Sequence, residues 1–161
     1  MARSLTLLLL LPLFAFALPE DRELPLSITA DQAEFDEVAG IANYQGQVVL
    51  IQGALSIQAQ ELTAYLEDGQ VTRLIAIGQQ AFFEDIPSLE QGTVTGNANR
   101  IEWQLNQENM QLTGRAVLTQ DTNRFAGEQV NYRQTDGVIE AQGDGNERVQ
   151  MTLTPSRASE E

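Results

Sequence analysis

Four acidic side chains within seven residues form the densest group of potentially reactive residues in the chain: Asp31, Glu34, Asp36 and Glu37. Hydrolysis of a glycosidic bond needs two carboxylates about 5 to 10 Å apart, so this group is a candidate for a carbohydrate-processing or lectin-like site. Glu34 and Asp36, however, alternate with apolar residues, which is typical of the solvent-exposed face of a β-strand. We therefore interpret the acids as surface residues, and a carbohydrate-binding β-domain remains an alternative.

The sequence lacks the residues that the other common kinds of catalytic site require. The sequence contains no histidine and no cysteine, which excludes the Ser-His-Asp triad, the Cys-His dyad and most zinc or copper sites. Residues Gly143 to Glu147 place Asp144 between glycines, but they lack the alternating acids and the bidentate glutamate of a calcium-binding loop, so we interpret them as a turn. There is no phosphate-binding glycine loop before a helix and no Gly-x-Ser-x-Gly elbow. The sequence predicts a protein that is not an enzyme and needs neither metal nor cofactor.

Charge limits the possible partners. The chain has 9 basic and 23 acidic residues, a formal net charge of −14. A nucleic acid or an anionic membrane surface needs basic residues to neutralise phosphate, so binding to either is not expected. The absence of disulfides is unusual for a small eukaryotic secreted domain and ordinary in a bacterial periplasm.

Met1 to Ala17 has the pattern of a secretory signal peptide. Arg3 supplies a positive start, Leu5 to Phe16 is almost wholly apolar, and Ala15-Phe16-Ala17 is a small-x-small cleavage signal. The apolar run is shorter than the ~20 residues of a comfortable membrane helix. A retained membrane anchor is the alternative. Cleavage after Ala17 removes one base and gives a mature periplasmic chain with a net charge of −15.

Beyond a charged, flexible lead-in at residues 18–24, apolar and polar residues alternate in short runs over residues 25–154. This period of two, with turn signals such as Asp68-Gly69 and Asp136-Gly137, predicts antiparallel β-strands. No stretch sustains the 3.6-residue period of a helix. The pattern therefore predicts an all-β sandwich, barrel or jelly roll, followed by a polar tail at residues 155–161.

The strand pattern occurs twice in the sequence. The gapless shift that places Asp31 over Asn99 also places Tyr44–Leu50 over Leu112–Leu118 and Asp68-Gly69 over Asp136-Gly137. Identities are few, but polar positions match polar positions and apolar match apolar. We expect two related units of about 68 residues, each of several strands, within one domain.

Several short motifs resemble a known family in their order and spacing. In the first unit they are Leu26-Ser27-Ile28-Thr29-Ala30-Asp31-Gln32-Ala33, Tyr44-x-Gly46-x-Val48-Val49-Leu50-x-Gln52-Gly53 and Ile57-x-Ala59-x-Glu61-Leu62. In the second they are Leu112-Thr113-Gly114-x-Ala116-x-Leu118 and Phe125-x-Gly127-x-x-Val130-x-Tyr132. With its signal peptide, the chain resembles the lipopolysaccharide-transport periplasmic protein A family, whose domain is also called OstA-like, over residues 25–154.

The resemblance implies a twisted antiparallel β-jelly roll that is open at both ends and binds the acyl chains of lipopolysaccharide in an apolar groove. Leu26, Ile28, Leu66 and Phe83 match groove positions of the family. Strand parity together with the resemblance predicts that the groove is formed by Leu26, Ile28, Phe35, Tyr44, Leu50, Leu66, Phe83 and Trp103.

The resemblance also implies an assembly. Subunits would join head to tail, edge strand to edge strand, into a bridge across the periplasm. It would run from an inner-membrane transporter complex, through that complex's bitopic C component, to the outer-membrane D–E translocon. The predicted edges are Leu26, Ile28 and Ala30 at one end and Val149, Met151 and Leu153 at the other. A C-type component that keeps Leu5 to Phe16 as an anchor is the alternative within the same pathway.

The mature protein is expected to begin at Leu18, because the leader carries its charge, apolar run and cleavage signal in the order that signal peptidase requires. Mass spectrometry of a periplasmic extract measures this end. A chain that keeps Met1 and is found only in membranes would instead support the anchored C-type component.

Overall fold

The computed structural model describes residues 24–88 and 91–155, so the predicted leader, residues 18–23 of the lead-in and residues 156–161 of the tail lie outside it. The described residues contain no α-helix, and none of their helical segments is long and apolar enough to cross a membrane. In the described part of the chain, one 3-10 turn covers Leu105–Gln107. The strands are β1 (Ser27–Thr29), β2 (Gln32–Asp36), β3 (Ile41–Gln52), β4 (Leu55–Glu67), β5 (Gln70–Asp85), β6 (Val94–Gln104), β7 (Asn109–Gln120), β8 (Asn123–Arg133), β9 (Val138–Gln142) and β10 (Gln150–Thr152).

All ten strands belong to one antiparallel sheet whose order follows the chain. From β3 to β8 each strand pairs with the next, while β1 and β2 both pair with β3 at one edge. At the other edge β9 and β10 both pair with β8. The two edges do not pair with each other, so the sheet is open. The predicted open, antiparallel all-β fold is confirmed.

The sheet curls so that its two halves cover each other. The side chain of Asp85, at the end of β5, accepts a hydrogen bond of 3.3 Å from Gln134, which directly follows β8. Two strands, β6 and β7, separate β5 from β8 in the sheet, so a flat sheet could not bring these residues together. Curling lets one sheet bury an apolar face without a second layer.

The predicted repeat is visible strand by strand. The shift that relates the two halves of the sequence carries the bounds of β3 (Ile41–Gln52) onto those of β7 (Asn109–Gln120) and the start of β4 onto the start of β8. At the start of the first unit, β1 and β2 together take the place that β6 has in the second. At the end of the second unit, β9 and β10 take the place of β5. The outermost strand of each unit is thus broken into two short strands.

A glycine bulge bends both units at the same point. Gly46 and Gly114 have φ angles of 80° and 85°, which residues other than glycine rarely adopt. The strand register slips beside each of them. A Cβ atom on Gly46 would overlap the carboxylate of Asp31, and one on Gly114 would lie 2.7 Å from the amide of Asn99. Bulges increase local bend and twist, so these glycines provide part of the curl.

A second close approach sets the position of an interior aromatic ring. Gly96 on β6 lies directly opposite Phe83 on β5, and Phe83 is fully buried. A Cβ atom on Gly96 would overlap the Phe83 ring and lie 2.8 Å from Cδ2 of Leu112. The missing side chain at position 96 therefore makes the space that the ring occupies.

Gly96→Ala is expected to lower the free energy of unfolding by about 1–3 kcal/mol, because the added methyl group overpacks the interior. Urea denaturation measures the change. Phe83→Leu provides the control, since a shorter side chain relieves the overlap and the same Gly96→Ala change should then cost less. Equal costs in both backgrounds would show that the Phe83 ring is not what the methyl group meets.

Candidate functional site: the inward face of the sheet

Cross-strand pairing aligns the inward-facing side chains into three rows that cross the sheet from edge to edge. Row 1 consists of Phe35, Ala42, Ala64, Leu74, Trp103, Met110, Tyr132 and Ile139. Row 2 consists of Ala33, Tyr44, Leu62, Ala76, Ile101, Leu112, Val130 and Ala141. Row 3 consists of Ile28, Leu50, Ile57, Phe83, Gly96, Leu118, Phe125 and Met151. Because directly opposed residues share a face of a sheet, the rows form one continuous apolar surface.

The groove residues predicted from the sequence lie on this surface. Row 3 contains Ile28, Leu50 and Phe83, row 2 contains Tyr44, and row 1 contains Phe35 and Trp103. Leu26 and Leu66 are outside the rows but pack, partly buried, against the same core. The structure therefore brings all eight residues to one side of the sheet, and their contact with a lipid stays a prediction.

Burial along the rows changes sharply from the middle to the edges. Leu50 and Phe83 are 0% exposed and Trp103 is 2% exposed. At the edges Phe35 is 58% exposed and Met151 is 53% exposed, although both continue the inward rows. Protein side chains thus fill the middle of the interior. The apolar surface is accessible to a ligand at the two edges, where no neighbouring strand of the described chain covers it.

One end of the interior is polar. Asp85 and Gln134 are 7% and 5% exposed, and Gln91 of the loop after β5 donates a 2.9 Å hydrogen bond to the Gln134 carbonyl. The Tyr132 hydroxyl has no hydrogen-bond partner among the described residues. Burial, and then the negative charge of Asp85, raise the pKa of Tyr132 to about 12, so its hydroxyl stays protonated. Sequence reasoning missed this polar group, whose members have no pattern that marks them as buried.

The acidic residues that suggested carbohydrate chemistry are engaged in the N-terminal edge. Asp36 Oδ1 accepts hydrogen bonds from the backbone N–H groups of Val38 and Ala39, at 3.0 and 2.9 Å, and so closes the turn after β2. The Asp31 N–H donates to the Gly46 carbonyl at 2.9 Å. Glu34 is exposed and lies opposite Asn43 in the pairing of β2 with β3. Each of these three acids has an ordinary place in a strand or turn.

Asp144 also has a local function. Its Oδ1 accepts hydrogen bonds from the backbone N–H groups of Glu147 and Asn146, at 2.7 and 2.8 Å. These bonds hold the pKa of the carboxyl group below its usual range. Within residues 24–88 and 91–155, no three potential metal-ligating side chains of the His, Cys, Asp and Glu types come together. The segment from Gly143 to Glu147 is a turn closed by its own aspartate, as the sequence predicted.

The outward face is mostly polar and carries paired charges, although Ile51, Ile75 and Ile77 also lie on it. Glu102 on β6 lies between two arginines, 3.8 Å from Arg73 and 2.8 Å from Arg100. The Arg73 guanidinium also lies 3.8 Å above the ring of Tyr65. The sheet is therefore amphipathic, with its hydrocarbon surface concentrated on the inward side.

Comparison with known proteins gives consistent matches. Residues 27–138 match the family model of the LptA/(LptD N-terminal domain) LPS transport protein. The lipopolysaccharide export system protein LptH of Pseudomonas aeruginosa is 27% identical over 91% of this chain and 88% of its own length. The export system protein LptA of Haemophilus influenzae is 29% identical over 89% of this chain and 84% of its own. LptA of Escherichia coli K12 is 26% identical over 89% and 78%.

The fold has a match among solved structures. The crystal structure of LptH from Pseudomonas aeruginosa, described as the LptA-homologous periplasmic component of the conserved lipopolysaccharide transport device, superposes with a TM-score of 0.76. The match covers 85% of this chain and 100% of LptH at 26% identity. Since the family model also spans well over half of the chain, the chain belongs to the LptA/(LptD N-terminal domain) LPS transport protein family.

Proposed function

We propose that this chain is a periplasmic transport protein that binds lipopolysaccharide and shields the acyl chains against the inward face of its sheet. The observation that carries the proposal is the continuity of rows 1 to 3, which offer hydrocarbon from one open edge to the other. The family supports it, since the named relatives are lipopolysaccharide export proteins.

The energetics agree with a carrier that uses no covalent chemistry. Moving a hydrocarbon chain out of water is worth about 0.8 kcal/mol per CH₂ group, so several covered carbons give useful affinity without a catalyst or cofactor. The cost is the separation of packed side chains in the interior, where Leu50 and Phe83 are both fully buried. An acyl chain that enters between the edges replaces those contacts with its own. The sugars and phosphates then stay outside, in water.

The open edges provide the route of entry. Phe35 at one edge and Met151 at the other are more than half exposed, while they continue rows whose middle is buried. A lipid that touches these residues on an edge that no other copy covers can move inward along the same apolar surface. The two edges do not pair with each other in the described sheet, so parting them breaks no backbone hydrogen bond between them.

The same edges carry the proposed assembly. Each edge presents unpaired N–H and C=O groups that can accept a strand from another chain. Copies that join head to tail form a bridge across the periplasm. Its N-terminal edge, at Leu26 to Ala30, meets the bitopic C component of the inner-membrane transporter. Its C-terminal edge, at Val149 to Leu153, meets the outer-membrane D–E translocon.

A photoreactive amino acid at position 83 is expected to crosslink to lipopolysaccharide in living cells, because Phe83 lies in row 3. The matched control is the neighbouring Phe82, which has the same side chain on the same strand but lies on the outward face. Immunoblotting for lipopolysaccharide adducts after irradiation measures both. Equal crosslinking from the two positions, or crosslinking from position 82 alone, would contradict an inward lipid site.

Met151→Asp is expected to abolish concentration-dependent assembly, because it places an unpaired charge in an apolar row at the joint. Thr152→Asp adds the same charge to the outward side of the same strand and should largely preserve assembly. Light scattering over a concentration series measures mass, and circular dichroism checks that both variants fold. A wild-type protein that stays monomeric at every concentration would contradict the assembly.

A further inference from the structure

We infer that the Tyr132 hydroxyl donates a hydrogen bond to the carbonyl oxygen that joins an acyl chain to its headgroup, in an ester or an amide. The inference rests on the proposed function and deepens it, because it assigns a polar subsite and a direction to the bound lipid. The headgroup then lies at the end of the interior formed by Asp85 and Gln134, and the hydrocarbon tail runs away from that end.

Tyr132 carries a polar atom within an otherwise apolar row. Its side chain is 0% exposed and lies in row 1, between Met110 on β7 and Ile139 on β9. The hydroxyl oxygen is buried and has no hydrogen-bond partner among residues 24–88 and 91–155. A buried donor without an acceptor destabilises a fold, and a phenylalanine ring at the same place would avoid that cost. The hydroxyl therefore points to an acceptor that arrives with a ligand.

The surroundings of the hydroxyl favour a neutral acceptor. Burial, and then the charge of Asp85, raise the pKa of Tyr132 to about 12, so the hydroxyl is a donor at neutral pH. The Asp85 carboxylate accepts hydrogen bonds from the backbone N–H of Ile86 at 2.9 Å and from the Gln134 side chain at 3.3 Å. A second carboxylate placed beside it would be repelled, whereas a neutral carbonyl would not. An ester or amide therefore suits this site better than a free fatty acid.

An acyl chain can reach Tyr132 from an open edge. In the described sheet only β9 lies beyond β8 at this row, and Ile139 opposite Tyr132 is partly buried against the core. From Tyr132 toward row 3, the next inward residues of β8 that belong to the rows are Val130 and Phe125, which are 0% and 8% exposed. A tail whose carbonyl is held at Tyr132 therefore runs along β8 over hydrocarbon.

On the other side of Tyr132 the chain becomes polar. The Gln134 carbonyl accepts a 2.9 Å hydrogen bond from Gln91, and the Gln91 carbonyl accepts one of 3.1 Å from the Gln120 side chain. Amide groups of this kind can also bond to sugar hydroxyls and water, whereas the apolar rows cannot. The change from hydrocarbon to amide in the protein thus occurs at Tyr132, where the proposed lipid changes from tail to headgroup.

A matched pair of detergents isolates the contribution of the carbonyl. Sucrose monolaurate and dodecyl maltoside both join a disaccharide to a chain with the same number of carbons, the first through an ester and the second through an ether. Each is titrated below its critical micelle concentration into the purified mature protein. The fluorescence of Trp103, the only tryptophan of the chain and a member of row 1, reports binding. The ester should bind about five- to tenfold more tightly, as one buried hydrogen bond predicts.

Tyr132→Phe removes the hydroxyl and keeps the ring. In this variant the ester should lose its advantage, while the ether binds as before. Lipopolysaccharide, whose acyl chains are joined through esters and amides, should bind about two- to tenfold more weakly. Urea denaturation without ligand should show a variant at least as stable as the wild type, because no hydrogen bond of the described residues is lost.

Tyr65→Phe provides the matched control. Tyr65 lies on the outward face, with its ring against the Arg73 guanidinium, so removal of its hydroxyl should leave the preference for the ester unchanged. Laurate, which has the same chain but ends in a carboxylate, should bind the wild type more weakly than the ester does.

The outcomes separate this inference from the proposed function. A preference for the ester that is lost in Tyr132→Phe and kept in Tyr65→Phe supports the inference. Equal binding of ester and ether by the wild type, or a preference that Tyr132→Phe retains, would overturn it while lipopolysaccharide binding stands. Lower stability of Tyr132→Phe with the preference intact would also overturn it, because the hydroxyl would then be bonded within the protein or to water. A wild type that binds no lipopolysaccharide would overturn both.

Discussion

The structure depends on one constraint, which is that a single sheet must bury its own apolar face. There is no α-helix or second sheet in the described part of the chain to cover the inward rows, so the sheet has to curl. The glycine bulges at Gly46 and Gly114 bend it, and Gly96 makes room for the Phe83 ring. The hydrogen bond between Gln134 and Asp85 then joins strands that are three positions apart. An interior closed in this way is held by contacts that a lipid can replace with similar ones.

Much of this fold could be predicted from the sequence, because apolar and polar residues alternate along a half-buried β-strand with a period of two. Alternation and Asp-Gly turns located the strands, and the gapless shift identified equivalent positions such as Asp31 and Asn99. Alternation indicates which face a side chain lies on, but not whether a neighbour covers it. Phe35 and Leu50 have the same parity signal, yet one is 58% exposed and the other 0%, because Phe35 lies on an edge strand.

The remaining features depend on contacts that no local pattern encodes. Asp85 and Gln134 are polar residues at strand ends, which typically face water, and only the curl makes them neighbours. The register of β9 also departs from the gapless shift, because Ile139 follows its partner Tyr132 by seven residues, whereas Leu74 follows its partner Ala64 by ten. In the acidic group, by contrast, residue type suggested chemistry that the local hydrogen bonds of Asp36 explain as turn structure.

The junction between the two units, where β5 pairs with β6, affects how the length of such proteins can change in evolution. It is an ordinary antiparallel strand pair, β5 with β6, like the other pairs along the sheet. Insertion of a third unit by tandem duplication within the gene would repeat that pair and leave both terminal strands unchanged. The number of units in one polypeptide is therefore free to drift in evolution while the two ends of the molecule stay the same, as in solenoid proteins that gain or lose internal repeats.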